Sequence, residues 1–325
     1  MSSIWKQLVD PDESLFYSRG EKGDIRLGDL VKRGEKNFLL DVQVGILGVP
    51  QDEGVKRNKG RVGAAEGPDA VRQALYRLTP FEIGSEDNIT ILSLFDFGNL
   101  VVRGSLEDIH GRLQDVVETI LNLGITPIVL GGGHDITFPD FVAFAKEKKS
   151  VGLINIDSHF DVREPSPQRT SGTSFRQVLD NSTTLILPQN FVEVGIQPYA
   201  NARTHYEYLL DRGSTVFTLR EIQERGVDKI VSVSYEIAGK LTEAVFVSFD
   251  LDVVRGSDAP GVSASSPLGL AAEDLLKIAR YVGLQRKTQM IDIVELNPKY
   301  DVDSRTAKLA ALTILNFLTG VANRV

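Results

Sequence analysis

Asp157, His159 and Asp161 stand at alternate positions directly after a short apolar run, VGLINI (151–156). In extended backbone, residues two apart project to the same side. The three side chains therefore converge on one point at the end of a buried strand. Packing such a group together is costly unless a positive charge sits among the carboxylates, and a divalent cation meets that need. Three other stretches carry groups of the same kind, each after an apolar run: Gly131-Gly132-Gly133-His134-Asp135, Asp250-Leu251-Asp252 and Glu295-Leu296-Asn297-Pro298. His134, Asp157, His159, Asp161, Asp250 and Asp252 offer two imidazoles and four carboxylates. Six ligands exceed the roughly three that protein supplies to one catalytic zinc. They suit two oxygen-loving divalent ions about 3.5–4 Å apart that share carboxylates. Oxygen-rich ligation with imidazole favours Mn²⁺ over copper or a thiolate-loving metal. The chemistry of such a pair is to acidify a shared water and hold hydroxide ready near neutral pH.

Taken singly, these residues have plainer readings. His134 after three glycines is a turn residue, and Asp157 or Asp250 is a helix cap. The glycines also fit a phosphate cradle, but no Gly-Lys-Ser/Thr follows them. Joint placement at several strand ends is what points to metal. His110 and His205 lie in ordinary helical contexts and read as structural or solvated.

The elements that position these groups follow from periodicity. Apolar runs predict strands at 43–49, 89–96, 126–130, 151–156, 191–196, 214–219, 244–252 and 288–298. Helical spacing predicts helices at 68–78, 105–123, 137–148, 271–285 and 304–323, with two helical pieces across 220–240 and a helix between the fifth and sixth strands. Pro68 after Gly67 fits a helix start. About eight strands alternating with helices define an α/β protein with a parallel sheet covered on both faces. Ligands of such sheets bind beyond the carboxyl ends of the strands, where all four chemical stretches lie. No linker, repeat or low-complexity stretch divides the chain, so one domain is expected.

Composition narrows the function further. The 325 residues are 42% hydrophobic and 25% charged, as in ordinary globular proteins. A net charge of -8 argues against nucleic acid or an anionic membrane as partner. The absence of cysteine excludes disulfides and thiolate metal sites. The start, MSSIWKQLVD, lacks a signal-peptide pattern and no run approaches a membrane span, so a cytoplasmic protein is expected. Asn88-Ile89-Thr90 and Asn181-Ser182-Thr183 match the glycosylation pattern, which carries no meaning in that compartment.

GGGHD, DSHFDVR, SFDLD and DIVELNP resemble the four signature regions of the ureohydrolase (arginase/agmatinase) superfamily, in order, over about residues 43–318. The resemblance implies a three-layer α/β/α fold around a mainly parallel eight-stranded sheet. It implies one catalytic domain over 41–325, with residues 1–40 as an N-terminal extension of short helices packed on the body. It also implies two Mn²⁺ per chain. His134, Asp157, Asp161 and Asp250 would hold one, and His159 and Asp252 the other, with Asp157 and Asp250 shared. Glu295 would bind the planar cationic nitrogen group of the substrate, since a carboxylate suits a fork of two N–H donors. Asp161 would pass a proton to the leaving amine.

The chain departs from the arginase pattern. Arginases have Gly-Gly-Asp-His-Ser where this sequence has Gly-Gly-Gly-His-Asp, and they carry a histidine proton shuttle where it has Ser171-Gly172-Thr173-Ser174. The loop DEGVKRNKGRVGAAEGP, HFD-x-R, SGTSF and APGVSA are similar to the formimidoylglutamase branch. That branch hydrolyses N-formimidoyl-L-glutamate to L-glutamate and formamide in histidine degradation. Such a substrate carries two carboxylates and calls for basic groups at the mouth of the site. Arg57, Asn58, Arg61 and Arg163 are placed for this on loops after the first and fourth strands, beside Lys56 and Lys59. The alternatives are a guanidino substrate such as agmatine, guanidinobutyrate or arginine, a metallophosphoesterase, and a metal-free structural relative. Relatives assemble as trimers or hexamers, so the resemblance implies a homo-oligomer.

Overall fold

A computed structural model describes residues 4–34, 36–180 and 186–324. The Asn181 glycosylation pattern and residues 1–3 and 35 of the extension lie outside the described residues. Ten strands form one sheet: β1 (Leu8–Val9), β2 (Lys32–Arg33), β3 (Val44–Gly48), β4 (Leu94–Leu100), β5 (Thr126–Leu130), β6 (Val151–Ile156), β7 (Phe191–Ile196), β8 (Thr215–Thr218), β9 (Ala244–Asp250) and β10 (Thr288–Val294). The eight longer strands are parallel neighbours in the order β4-β3-β5-β10-β9-β6-β7-β8. The two additional strands are two residues each, too short to show a period, and both pair with β4. β1 runs antiparallel and β2 parallel to it, so together they cover the outer edge of the sheet.

The helices are α1 (Leu27–Leu30), α2 (Glu53–Arg57), α3 (Gly67–Leu75), α4 (Leu106–Asn122), α5 (Thr137–Glu147), α6 (Ser174–Asp180), α7 (Arg203–Asp211), α8 (Leu219–Arg225), α9 (Val227–Ala238), α10 (Ala272–Leu284) and α11 (Arg305–Ala322). Alternation along the strands splits the core in two. Val245, Val247, Phe249, Ile291 and Ile293 pack with side chains of α3, α9, α10 and α11. Ala244, Phe246, Met290 and Val294 pack with α4, α5 and α6 on the other face. Period-two side-chain placement thus makes three layers from one sheet.

Three strand boundaries differ from expectation. The segment predicted as 89–96 begins at Leu94, because Asn88 caps a 3₁₀ turn over Ile89–Ile91 instead. Strands predicted to reach 252 and 298 stop at Asp250 and Val294, where the chain turns into the site. Within the first forty residues, Trp5 stacks on Phe97 with centroids 5.8 Å apart, Phe16 stacks on Tyr76 at 4.7 Å, and Leu27 is buried. Among the described residues no helix is long and apolar enough to cross a membrane.

Candidate metal centre

The carboxyl ends of β5, β6, β9 and β10 bring the six predicted ligands and Glu295 together. The same local device is used twice. After β6, one oxygen of Asp157 (Oδ1) accepts the His159 N–H at 2.7 Å. At the end of β9, Oδ1 of Asp250 accepts the Asp252 N–H at 2.8 Å. Each aspartate ties its turn with one oxygen and directs the other, Oδ2, at the His134 ring. The glycines after β5 are required by close approach. A Cβ on Gly132 would lie 1.5 Å from the Gln51 carbonyl oxygen. Glu295 closes the ring of elements: its N–H donates to the Gly132 carbonyl and its Oε1 accepts the His134 N–H, both at 2.9 Å. Asp161 and Glu295 adopt φ of +46° and +66°, a conformation non-glycine residues rarely hold and one that clusters at functional sites.

Nδ1 of His134 lies 3.2 Å from Asp157, 3.1 Å from Asp161 and 3.1 Å from Asp250, yet it has no hydrogen-bond partner. A nitrogen surrounded by three carboxylate oxygens without hydrogen bonds is the donor set of a divalent cation. His134, Asp157, Asp161 and Asp250 offer ligand atoms within 4.8 Å of one another, and so do Asp157, His159 and Asp252. Asp157 belongs to both groups. Asp250 falls in the first group alone, since its Oδ1 is engaged by the Asp252 N–H and its Oδ2 faces His134. His159 Nδ1 sits 3.1 Å from Asp252.

The electrostatics match a site short of positive charge. Burial pushes Asp161 and Asp250 upward, and for Asp250 the neighbours Asp252 and Asp157 add to it. Burial likewise raises Asp252 to about 6 and Glu295 to about 8. Burial opposes charging of His134, but the three carboxylates around it prevail and hold it well above the usual imidazole range. His159 is raised chiefly by Asp252. Asp157 is the exception: against its burial, the two histidines hold it below the ordinary carboxylate range.

A cavity of about 350 Å³ opens onto this floor. His159, Asp161, Asp250, Asp252 and Glu295 line its inner end, while His134 and Asp157 lie deeper. Asn58, Arg61 and Arg163 line the walls as expected, joined by Lys59, Asn201 and His205. Arg163 packs over Gly172, and its guanidinium has no ion pair or hydrogen bond among the described residues. Arg61 is partly committed, donating to the backbone oxygens of Val262 and Ser263 and stacking on Tyr300. Arg57 does not line the cavity. It is turned onto Glu53 at 3.2 Å and Glu107 at 2.9 Å, because its place in α2 puts the side chain on the far side of the loop. Lys56 is likewise on the outer side, 3.5 Å from Glu53.

The two remaining histidines separate. His110 is buried, with Nε2 2.8 Å from Asp135 Oδ2, which also accepts from Gln51. It is a structural strut behind the Gly-Gly-Gly-His-Asp turn. His205 was expected to be structural or solvated but stands on the cavity wall, in the first turn of α7 just past β7. Its position after another strand's carboxyl end was the available clue. Burial, with Arg163 and Arg176 nearby, lowers its pKa.

Comparison with known proteins agrees with this geometry. The Arginase family model matches residues 42–320. A formimidoylglutamase of Staphylococcus carnosus is 35% identical over 97% of both chains, and one of Clostridium tetani is 31% identical over 98% of this chain and 94% of its own. A Trypanosoma cruzi formiminoglutamase, solved with two Mn²⁺, superposes with a TM-score of 0.87 at 33% identity, covering 93% of this chain and 100% of that one. The chain belongs to the arginase family.

Proposed function

We propose that this chain is a manganese-dependent hydrolase of linear amidines that converts N-formimidoyl-L-glutamate to L-glutamate and formamide. The observation that carries the reading is the polarity of the cavity: a floor of carboxylates beneath a wall bearing Arg163, Lys59 and Arg61. A substrate with a cationic formamidinium at one end and two carboxylates at the other matches both. Sequence relatives named formimidoylglutamase support the same choice.

His134, Asp157, Asp161 and Asp250 would hold one Mn²⁺, and His159, Asp252 and the shared Asp157 the other. When bound, such a pair supplies Lewis acidity and a water made nucleophilic near neutral pH. The chain's own residues do the rest. Glu295 keeps one oxygen on the His134 N–H and offers the other to the formamidinium N–H groups. That contact orients the formimidoyl carbon over the floor. Arg163, with Lys59 and Asn58, takes the glutamate carboxylates and fixes the direction in which the substrate enters. Water adds at the formimidoyl carbon, the bond from that carbon to the glutamate nitrogen breaks, and Asp161 carries the proton given up by the water to that nitrogen.

The catalytic unit is proposed to span residues 41–325, with residues 1–40 packed on it as an extension. The enzyme is proposed to work in the cytoplasm as a trimer or hexamer, a state that light scattering reads directly. Activity is tested by incubating the Mn²⁺-loaded protein with formimidoylglutamate, agmatine, guanidinobutyrate and arginine. Glutamate and formamide are expected from the first and no urea from the others. Urea release without glutamate release would overturn the assignment.

A further inference from the structure

Behind His134, on the side away from the cavity, lies a buried hydrogen-bonded chain with no role in the chemistry so far. His134 Nε2 is 2.9 Å from Ser248 Oγ. Ser248 Oγ is 3.4 Å from Thr137 Oγ1, and Thr137 Oγ1 is 2.6 Å from Asp292 Oδ2. Asp292 on β10 is in register with Ser248 on β9. All four side chains are fully buried.

We propose that Asp292 is a positioning residue that fixes the ring proton of His134 through Thr137 and Ser248, an inference that rests on the metal reading above. The argument is one of donor direction. A carboxylate only accepts, so the Thr137 hydroxyl donates to Asp292, and the Thr137 oxygen is left to accept from the Ser248 hydroxyl. The lone pairs of Ser248 then face Nε2, which must carry the hydrogen. A neutral imidazole has one ring proton. With it held on Nε2, Nδ1 keeps its lone pair for the cation among Asp157, Asp161 and Asp250. This is the orienting arrangement that ligating histidines use with a carboxylate, here relayed through two hydroxyls. An amide in place of the carboxylate breaks it. Asparagine presenting its amide there would donate to Thr137, Thr137 to Ser248 and Ser248 to Nε2, and the proton would move to Nδ1, where it blocks ligation.

Asp140 lies beside this carboxylate. Both of its oxygens are buried and without partners, and burial together with Asp292 pushes its pKa well up. Burial raises Asp292 too, but Asp292 keeps the Thr137 hydroxyl donor that Asp140 lacks, which favours it as the acceptor.

His159 has no such relay. Its ring is 30% exposed to the cavity, and among the described residues its Nε2 has no hydrogen-bond partner. The effect should therefore fall on one ion of the two. The test is calorimetric titration of the chelated full-length protein with Mn²⁺, with metal content measured after dialysis. The wild type should bind two ions. Asp292→Asn should weaken one binding step by about 10–100-fold and leave the other unchanged, while the melting temperature of the chelated protein stays near that of the wild type. Ser248→Ala, which cuts the same relay without touching the carboxylate, should behave alike, and it decides the matter by the same criterion if Asp292→Asn does not fold. Asp140→Asn should bind both ions normally. Wild-type protein that binds fewer than two ions would overturn the metal reading itself. Wild type and both relay variants binding two ions with equal affinities would overturn this inference alone.

Discussion

Two regions of this molecule bury charge, and they do so in opposite ways. Around Arg72 of α3 every charged atom has a partner. Its guanidinium donates to both oxygens of Asp96 at 2.8 and 2.9 Å, to Asn99 at 2.6 Å and to the Gly98 carbonyl at 2.8 Å. Asp96 also accepts from the Tyr76 hydroxyl at 2.5 Å and the Gly98 N–H at 2.8 Å. At the strand ends, four aspartates and Glu295 face two imidazoles, and His134 Nδ1 and Asp252 Oδ1 have no hydrogen-bond partner among the described residues. Burial alone does not mark a working site. The first cluster is complete within the chain, and the second is complete only with cations added from outside.

Breaking either cluster should separate the two kinds of burial. The largest effect is expected from Asp157→Asn, which removes the carboxylate common to both ligand groups. Turnover should fall by at least about 10²–10³-fold, with less than two Mn²⁺ retained per chain by elemental analysis and the fold intact by circular dichroism. Arg72→Ala should do the reverse. Leaving Asp96 buried and unpaired should cost about 3–5 kcal/mol in urea unfolding, with Mn²⁺ stoichiometry unchanged in the protein that remains folded.

A pH series sharpens the contrast. Glu295 is raised from 4.5 to about 8 and Asp252 from 3.8 to about 6. An acid that ionises less readily when folded contributes stability below its unfolded pKa and loses it as pH rises through the folded one. The raised histidines act with the same sign above their ordinary 6.5. Chelated protein should therefore melt at progressively lower temperature from pH 5 to pH 8.5. Mn²⁺ should reverse the slope, because ligation requires deprotonated donors. A flat profile in the chelated protein would contradict the crowding described here.

The smallest effects compare two arginines. Arg163→Gln should raise KM for formimidoylglutamate by about 10–100-fold through loss of a charge-assisted contact, with kcat little changed. Arg57→Gln, which breaks partly exposed pairs away from the cavity, should leave KM unchanged and shift stability by less than about 1 kcal/mol.

The ligand cluster was legible in the sequence because its residues follow apolar runs, which fix depth; β6 stops at Ile156, and the turn tied by Asp157 with the positive φ of Asp161, rather than extended backbone, brings them together. Asp157, His159 and Asp161 needed no tertiary information to be seen as a group. The substrate wall was less legible. Arg57 and Arg163 look equivalent as residues near a strand end, but α2 turns one away while the other lies free over Gly172. His205 was passed over because a histidine on a polar helix looks solvated until β7 places its first turn beside the cavity. The short strands β1 and β2 carry no periodic pattern, and only their pairing with β4 reveals them.

That pairing has a bearing on handling the protein. A parallel sheet ends in a row of backbone groups that will template any passing strand. Leu8–Val9 and Lys32–Arg33 occupy that row on β4, one over each half. A version trimmed back to residue 41, just before the family-matched stretch, would keep every group named in the chemistry, yet it would present a bare adhesive margin and self-associate into precipitate.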